Sequence, residues 1–224
     1  PVDKIAGAIT DKTKLIILNS PANPTGIVYS AAEVEALAQV AAKKDVLVLT
    51  DEIYEQLSYD GPATSIAKYY ENVLVMRGFS KSYAMTGWRL AYVAAPASLR
   101  PLMEEMLKIQ QYTFVCAPTP FQKAAVAAMD YDVRDLVKDY VRKRDLLYTG
   151  LKDKFELARP QGAFYAFVKA PNGSGSEFVK QAIQNNLLVI PGNVFSEKDT
   201  HFRISFATTD EKIRQGVDIL RRLG

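Results

Sequence analysis

Short unbroken apolar runs alternate with amphipathic stretches along the first half of this chain. Leu15-Ile16-Ile17-Leu18, Val46-Leu47-Val48-Leu49 and Val73-Leu74-Val75-Met76 are each of strand length, and runs of that kind mark strands covered on both faces. Between the first two, Ser30-Ala31-Ala32-Glu33 forms a capping box, and Val34, Leu37, Val40 and Ala41 follow at helical spacing. That pattern predicts a helix ending near Lys43-Lys44. Ile5 and Ile9, four apart among polar residues, predict a further short helix within 2–12. Strand, helix and strand with short connections make the βαβ unit of a parallel sheet. Its right-handed crossover puts the loop 19–26 and the loop 51–54 on one edge, where open α/β sheets bind ligands.

The second half reads differently. Arg89 to Ala94 predicts one more strand, ending at Pro96, and from Ser98 the chain turns helical, with Leu102, Met106 and Ile109 in one stripe. Gln110-Gln111-Tyr112 then leads to a loop at Cys116-Ala117-Pro118. A second helix covers 119–129 and a third 131–155, the latter with Val133, Leu136, Val137, Tyr140, Val141 and Leu147 on its apolar side. From Arg159-Pro160-Gln161-Gly162 a smaller α+β domain is expected. It has strands at 163–167, 187–190 and 202–206, a helix over Ser176–Asn186, and a last helix capped by Thr209 with Ile213, Val217 and Leu220 inward. The class is α/β, divided as a sheet domain over 1–97, a helical connection over 98–155 and the small domain over 156–224.

Composition narrows the function. With 224 residues and 48% apolar content the chain is long enough for a sizeable core. A net charge of +3 with no clustered basic run argues against nucleic acid, and no apolar stretch reaches the length of a membrane span. The one cysteine, Cys116, excludes an internal disulfide framework, so a reducing cytoplasm is the expected location. Beside alanine and proline it reads as a small buried residue and not as a nucleophile. His201, the one histidine, reads as a surface group, and no metal site is expected. The chain opens on Pro1 without a methionine or signal pattern, and an excerpt or processed product is expected.

Candidate chemistry gathers at the ligand edge. Lys81 sits on the loop leaving the third apolar run, and Arg89 follows eight residues on. A lysine amine forms a Schiff base with an aldehyde, and the arginine fork suits a phosphate; pyridoxal phosphate carries both groups. Taken alone, the stretch reads equally well as two solvated charges among 28 basic residues. Alone, too, Asn23 is a turn residue before proline, Asp51 an N-cap or surface carboxylate, and Arg203 an exposed charge on the polar face of an edge strand.

Together these segments resemble a family. Ser80-Lys81, Met85, Gly87 and Arg89 match Ser-Lys-x-x-x-Met-x-Gly-x-Arg, the cofactor-lysine signature of class I/II aminotransferases, the aspartate-aminotransferase-like branch of fold-type-I pyridoxal phosphate enzymes. Asn23-Pro24-Thr25-Gly26, Asp51 with Tyr54, and Phe202 to Ala207 match further motifs in the family's order. The resemblance implies the large, mostly parallel-sheet cofactor domain, of which 1–97 is the C-terminal portion, followed by the smaller domain. It implies that Lys81 holds the cofactor and shuttles the substrate proton, that Asp51 faces the ring nitrogen, and that Asn23 and Tyr54 bond the phenolic oxygen. Arg89 and Ser80 would hold the phosphate, and Arg203, with Asn23, the substrate carboxylate. The family commonly has a serine three positions before the lysine, where this chain has Gly78; Ser80 is expected to supply the hydroxyl instead.

The activity so implied moves an amino group from an amino acid to a 2-oxo acid, in a homodimer. A carbon–sulfur lyase of the same fold, or an effector domain of a transcription regulator, shows nearly the same residues. The family's glycine-rich phosphate turn and the aromatic that stacks on the ring are not found in these residues. They are expected before Pro1, and the 224 residues alone are expected to be inactive.

Overall fold

A computed structural model describes residues 2–224 and shows two compact units. The first comprises the described residues through Pro21 together with Tyr29–Gln56 and Pro62–Val133. It is built on a four-stranded sheet in the order β1-β2-β3-β4, with β1 Leu15–Asn19, β2 Leu47–Asp51, β3 Val73–Gly78 and β4 Ala91–Ala94. The first three strands are parallel and β4 is antiparallel to β3. The register sets Asn19 beside Asp51 and Asp51 beside Met76, so β1 and β2 finish level at one edge and β3 runs two residues past them to Gly78.

Helices cover this sheet as the periodicity predicts. After the short α1 (Val2–Ala8), α2 runs Ala31–Lys44 behind the capping box: Ser30 Oγ accepts from the Glu33 amide, and the Ser30 amide donates to Glu33 at 2.8 Å. The helix stops at Asp45, a left-handed residue at φ 47° whose amide bonds back to Ala41 and Ala42. Its buried stripe of Val34, Leu37, Ala38 and Ala41 packs on Leu18, Val48, Val73 and Ile66. Each larger side chain so buried contributes about 1.5–3 kcal/mol.

Three local expectations are corrected here. Arg89 is not in the last strand of this sheet; it stands at φ 51° just before β4. The helix expected from Ser98 is α3, Arg100–Thr113, which runs on through the glutamines that were expected to lead out of it, and none of its residues is buried. Leu107 is 56% and Ile109 65% exposed, so the apolar stripe of α3 is not a core face of this unit. Cys116, in the loop before α4 (Thr119–Met129), is exposed, since nothing in that loop folds over it.

The second unit comprises Ala22–Val28, Leu57–Gly61 and Arg134–Gly224. The stretch 98–155 is thus divided, α3 and α4 going with the first unit and α5 (Arg134–Leu151) with the second. That helix is shorter than 131–155 because the chain turns at Lys152–Phe155 and sends the Phe155 ring edge-on to Phe178 and Phe202. A three-stranded antiparallel sheet follows in the order β5-β7-β6, from β5 Tyr165–Lys169, β6 Ile190–Pro191 and β7 His201–Ser205. β5 starts two residues later than expected, after Ala163 at φ 55°. The expected strand 187–190 shrinks to Ile190–Pro191, because Leu188 points to solvent, 79% exposed.

α6 (Gly175–Gln184) and α7 (Asp210–Leu223) complete this unit. Ile213, Val217 and Leu220 are buried as their spacing predicts, and Thr209 caps α7 through the Lys212 amide. α5 and α7 approach so closely that a Cβ at Gly150 would stand 2.7 Å from Val217.

Candidate active site

In the first unit the site starts where β2 ends. The Asp51 carbonyl is taken up by the Ser20 amide at 3.3 Å and Asn19 Nδ2 at 3.1 Å, while its carboxylate accepts from the Ile53 amide at 3.2 Å. Burial pushes the Asp51 carboxyl above its ordinary range; the Ile53 amide opposes this and the charge of Glu52 adds to it. A half-buried carboxylate in that state is stabilised by a cation brought against it. Tyr54, three residues on, is buried, and Lys81 Nζ lies 5.9 Å from its ring centroid.

The Lys81 loop is anchored from below. Phe79 is buried with Leu90 and Ala125, its amide bonds the Leu90 carbonyl, and its carbonyl accepts from Met85, which closes the loop around Lys81. Ser80 stands half-exposed on this loop, and Ser82 is buried. Gly78 ends β3 opposite Ala91, where a Cβ would meet Ile53 Cδ1 at 2.6 Å and Ala91 Cβ at 3.2 Å; a serine there would have to displace Ile53. Arg89 is exposed and donates from Nη1 to the Thr86 carbonyl at 3.1 Å.

Sequence reasoning missed the ion pair beneath Asp51. Glu52 is 3% exposed; it accepts from Arg77 Nε at 3.0 Å and Nη2 at 2.8 Å, and from Thr50 Oγ1 at 3.2 Å. Glu55 lies 3.6 Å from the same guanidinium. Burial works against the Arg77 charge, but these carboxylates more than offset it and raise its pKa. The available signal was an acidic residue directly after β2 and an arginine near the end of an otherwise apolar β3. Only the register makes them neighbours.

The second unit brings Asn23 and Arg203 together. Arg203 lies on β7 between Phe167 and Ile190, so it is on the central strand of this sheet and not on an edge. Its guanidinium carbon is 4.3 Å from the Tyr165 ring centroid and 4.6 Å from that of Phe195, two cation–π contacts that hold the fork flat. Nη1 donates to Asn23 Oδ1 at 2.7 Å, and Nε is buried without a hydrogen-bond partner among the described residues. Buried donors are nearly always satisfied, so an orphaned arm of a fixed guanidinium fits an incoming carboxylate.

Asn23 is carried by a closed turn in which the Ala22 amide bonds the Ile27 carbonyl and the Gly26 amide the Ala22 carbonyl. Gly26 has φ 70°, and a Cβ on it would stand 2.6 Å from the Tyr165 carbonyl oxygen, so glycine is required twice over. His201 stacks on Phe167 at 5.0 Å and contacts Thr200, consistent with a structural place beside the motif.

In the first unit, a lysine beside a phenol, a carboxylate that burial primes for a cation and an exposed arginine fit pyridoxal phosphate; in the second unit, the orphaned guanidinium donor fits a carboxylate. The family model described as aminotransferase class I and II matches residues 2–220. A probable aspartate aminotransferase of Methanocaldococcus jannaschii is 40% identical over 230 residues, covering 99% of this chain and 61% of that protein. The putative aminotransferase YugH of Bacillus subtilis is 42% identical over 226 residues, covering 96% and 58%. Among solved structures, the aromatic aminotransferase of Pyrococcus horikoshii superposes with a TM-score of 0.93 at 34% identity, covering all of this chain and 63% of that one. Aspartate aminotransferase of Thermus thermophilus with maleate gives 0.92 at 32%, covering all of this chain and 60% of that one. The chain spans about 60% of the length of these relatives, and in fold and sequence it belongs to the class I and II aminotransferases.

Proposed function

We propose that this chain works in a pyridoxal phosphate-dependent aminotransferase that moves an amino group from an amino acid to a 2-oxo acid. The observation that carries the reading is the amine of Lys81 set against buried Tyr54, on the loop that leaves β3 at the edge where Asp51 ends β2. When bound, the cofactor supplies an electron sink for the pair left on the substrate α-carbon. Asp51, anionic, keeps the ring nitrogen protonated. Asn23 and Tyr54 hydrogen-bond the phenolic oxygen, and Arg89 with Ser80 grips the phosphate. Arg203 takes the α-carboxylate through its unsatisfied Nε, and Lys81 Nζ removes the α-proton and returns it as general base and acid.

Relatives named for aspartate and for aromatic amino acids support the substrate class of amino acid with 2-oxo acid. The uncovered apolar side of α3 supports a homodimer. No helix among the described residues is long and apolar enough to cross a membrane, and a free, exposed Cys116 suits a reducing cytoplasm. The test is borohydride reduction of the protein with pyridoxal phosphate, followed by peptide mapping. The adduct is expected on Lys81, and a single adduct on any other lysine overturns the assignment.

A further inference from the structure

Arg144, in the middle of α5, is 2% exposed. Its Nη1 donates to the Pro160 carbonyl at 3.1 Å and lies 3.7 Å from Asp60, and its guanidinium sits 5.1 Å from the Tyr59 ring centroid. Nε is 2.8 Å from Asp145 but off the hydrogen-bond direction. A cation is costly to bury, and besides Asp145 on its own helix this one is held by a carboxylate, a carbonyl and an aromatic face from Asp60, Pro160 and Tyr59, in segments that belong to no helix or strand.

Those segments are the ones on which the Asn23 turn rests. Tyr59 hydroxyl donates to the Ala163 carbonyl, the Tyr59 amide donates to Gln161 at 2.8 Å, and the Ala163 amide to Leu57 at 2.9 Å. The stretch 57–61 is thereby zipped to 160–163 around Arg144. From the other side of that stretch, the Gln161 and Gly162 amides both donate to the Gly26 carbonyl, at 2.7 and 3.0 Å, and Gln161 Oε1 accepts from Val28 at 3.4 Å. Gly26 closes the turn whose Asn23 meets Arg203 at 2.7 Å. We infer that Arg144 is a positioning residue: by fixing Pro160 to Ala163 it holds the Asn23 turn, and through Asn23 sets the orientation of the Arg203 fork for the substrate carboxylate.

The inference rests on the proposed role of Arg203, and the test separates the two. In the full protein, Arg144→Met is expected to raise the KM for the amino acid about tenfold or more, with a smaller change in kcat, because the fork and not the chemistry is displaced. In an Asn23→Ala background the same substitution is expected to change KM less than about twofold, since the route through Asn23 is already cut. Amide exchange without substrate gives an independent reading: protection of the Gln161 and Gly162 amides should fall in Arg144→Met while that of β5 and β7 is kept. Should Arg144→Met not fold, Tyr59→Phe removes the bond to Ala163, leaves every charge in place and should move both readouts in the same direction. A full Arg144 effect that persists in Asn23→Ala, or exchange unchanged at 161 and 162, overturns the inference. A protein that never transaminates defeats the proposed function instead, and the exchange result still decides the place of Arg144.

Discussion

Asp51 shows how a single residue carries both a cost and a use. Its carboxyl is pushed up by burial, so the folded state binds the proton more tightly than the unfolded chain does. A group with that shift contributes stability below its unfolded pKa and loses it as pH rises through the folded one. Without cofactor, stability should therefore fall as pH rises from about 4, and Asp51→Asn should flatten that slope. Urea melts of both proteins across that range check it; a steeper slope in the variant contradicts the cause. At this scale apolar runs and prolines placed Lys81, Asp51, Tyr54 and Asn23 at strand ends and in a turn, while the roles expected of them came only from the family resemblance. Arg203 was legible as a motif, but its two aromatic faces and orphaned Nε depend on Phe195 and Tyr165, which no spacing along β7 reveals.

At the scale of elements, the Glu52–Arg77 pair ties the end of β2 to the end of β3 and so sets the distance between Asp51 and the Lys81 loop. Removing Arg77 would strand a carboxylate whose side chain is 4% exposed. Arg77→Met should cost about 3 kcal/mol, the low end for such a pair because the arginine side chain is itself 35% exposed. Glu52→Gln combined with Arg77→Met should recover part of it, since no unpaired charge is left. Denaturant midpoints of the single and double variants measure this, and a double variant weaker than Arg77→Met would count against an ion-pair origin. The same scale explains the shifted boundaries: β6 is short and α5 stops early because Leu188 and Phe155 answer to packing, one turned out and the other turned in, and not to their own propensity.

At the scale of the molecule, α3 is amphipathic in sequence yet buries nothing, and Tyr112 just beyond its stripe is 91% exposed. An apolar surface of that kind marks an interface. For the proposed homodimer, Leu107→Glu with Ile109→Glu is expected to leave each unit folded and to give a monomer in sedimentation equilibrium. Loss of helical signal together with the shift would mean that α3 serves the fold and not association.

What the sequence determined by itself is the set of elements with their own signals. The capping box started α2, the apolar runs marked β1 to β3, and the period of Ile213, Val217 and Leu220 marked the inward face of α7, each a signal carried by residues within a few positions of one another. The sequence also determined the chemistry available, since the residue types of the family motifs are read directly. Tertiary structure decided what depends on residues far apart in the chain: that Arg77 meets Glu52, that Arg203 lies on a central strand with one arm unsatisfied, and that α3 keeps its apolar side uncovered. It also decided that Arg144, one basic residue among many on a helix, is the one sealed against Pro160. Local pattern states which face is apolar or charged, but burial and register are properties of the partners that arrive from elsewhere, and these set the energy of a charge.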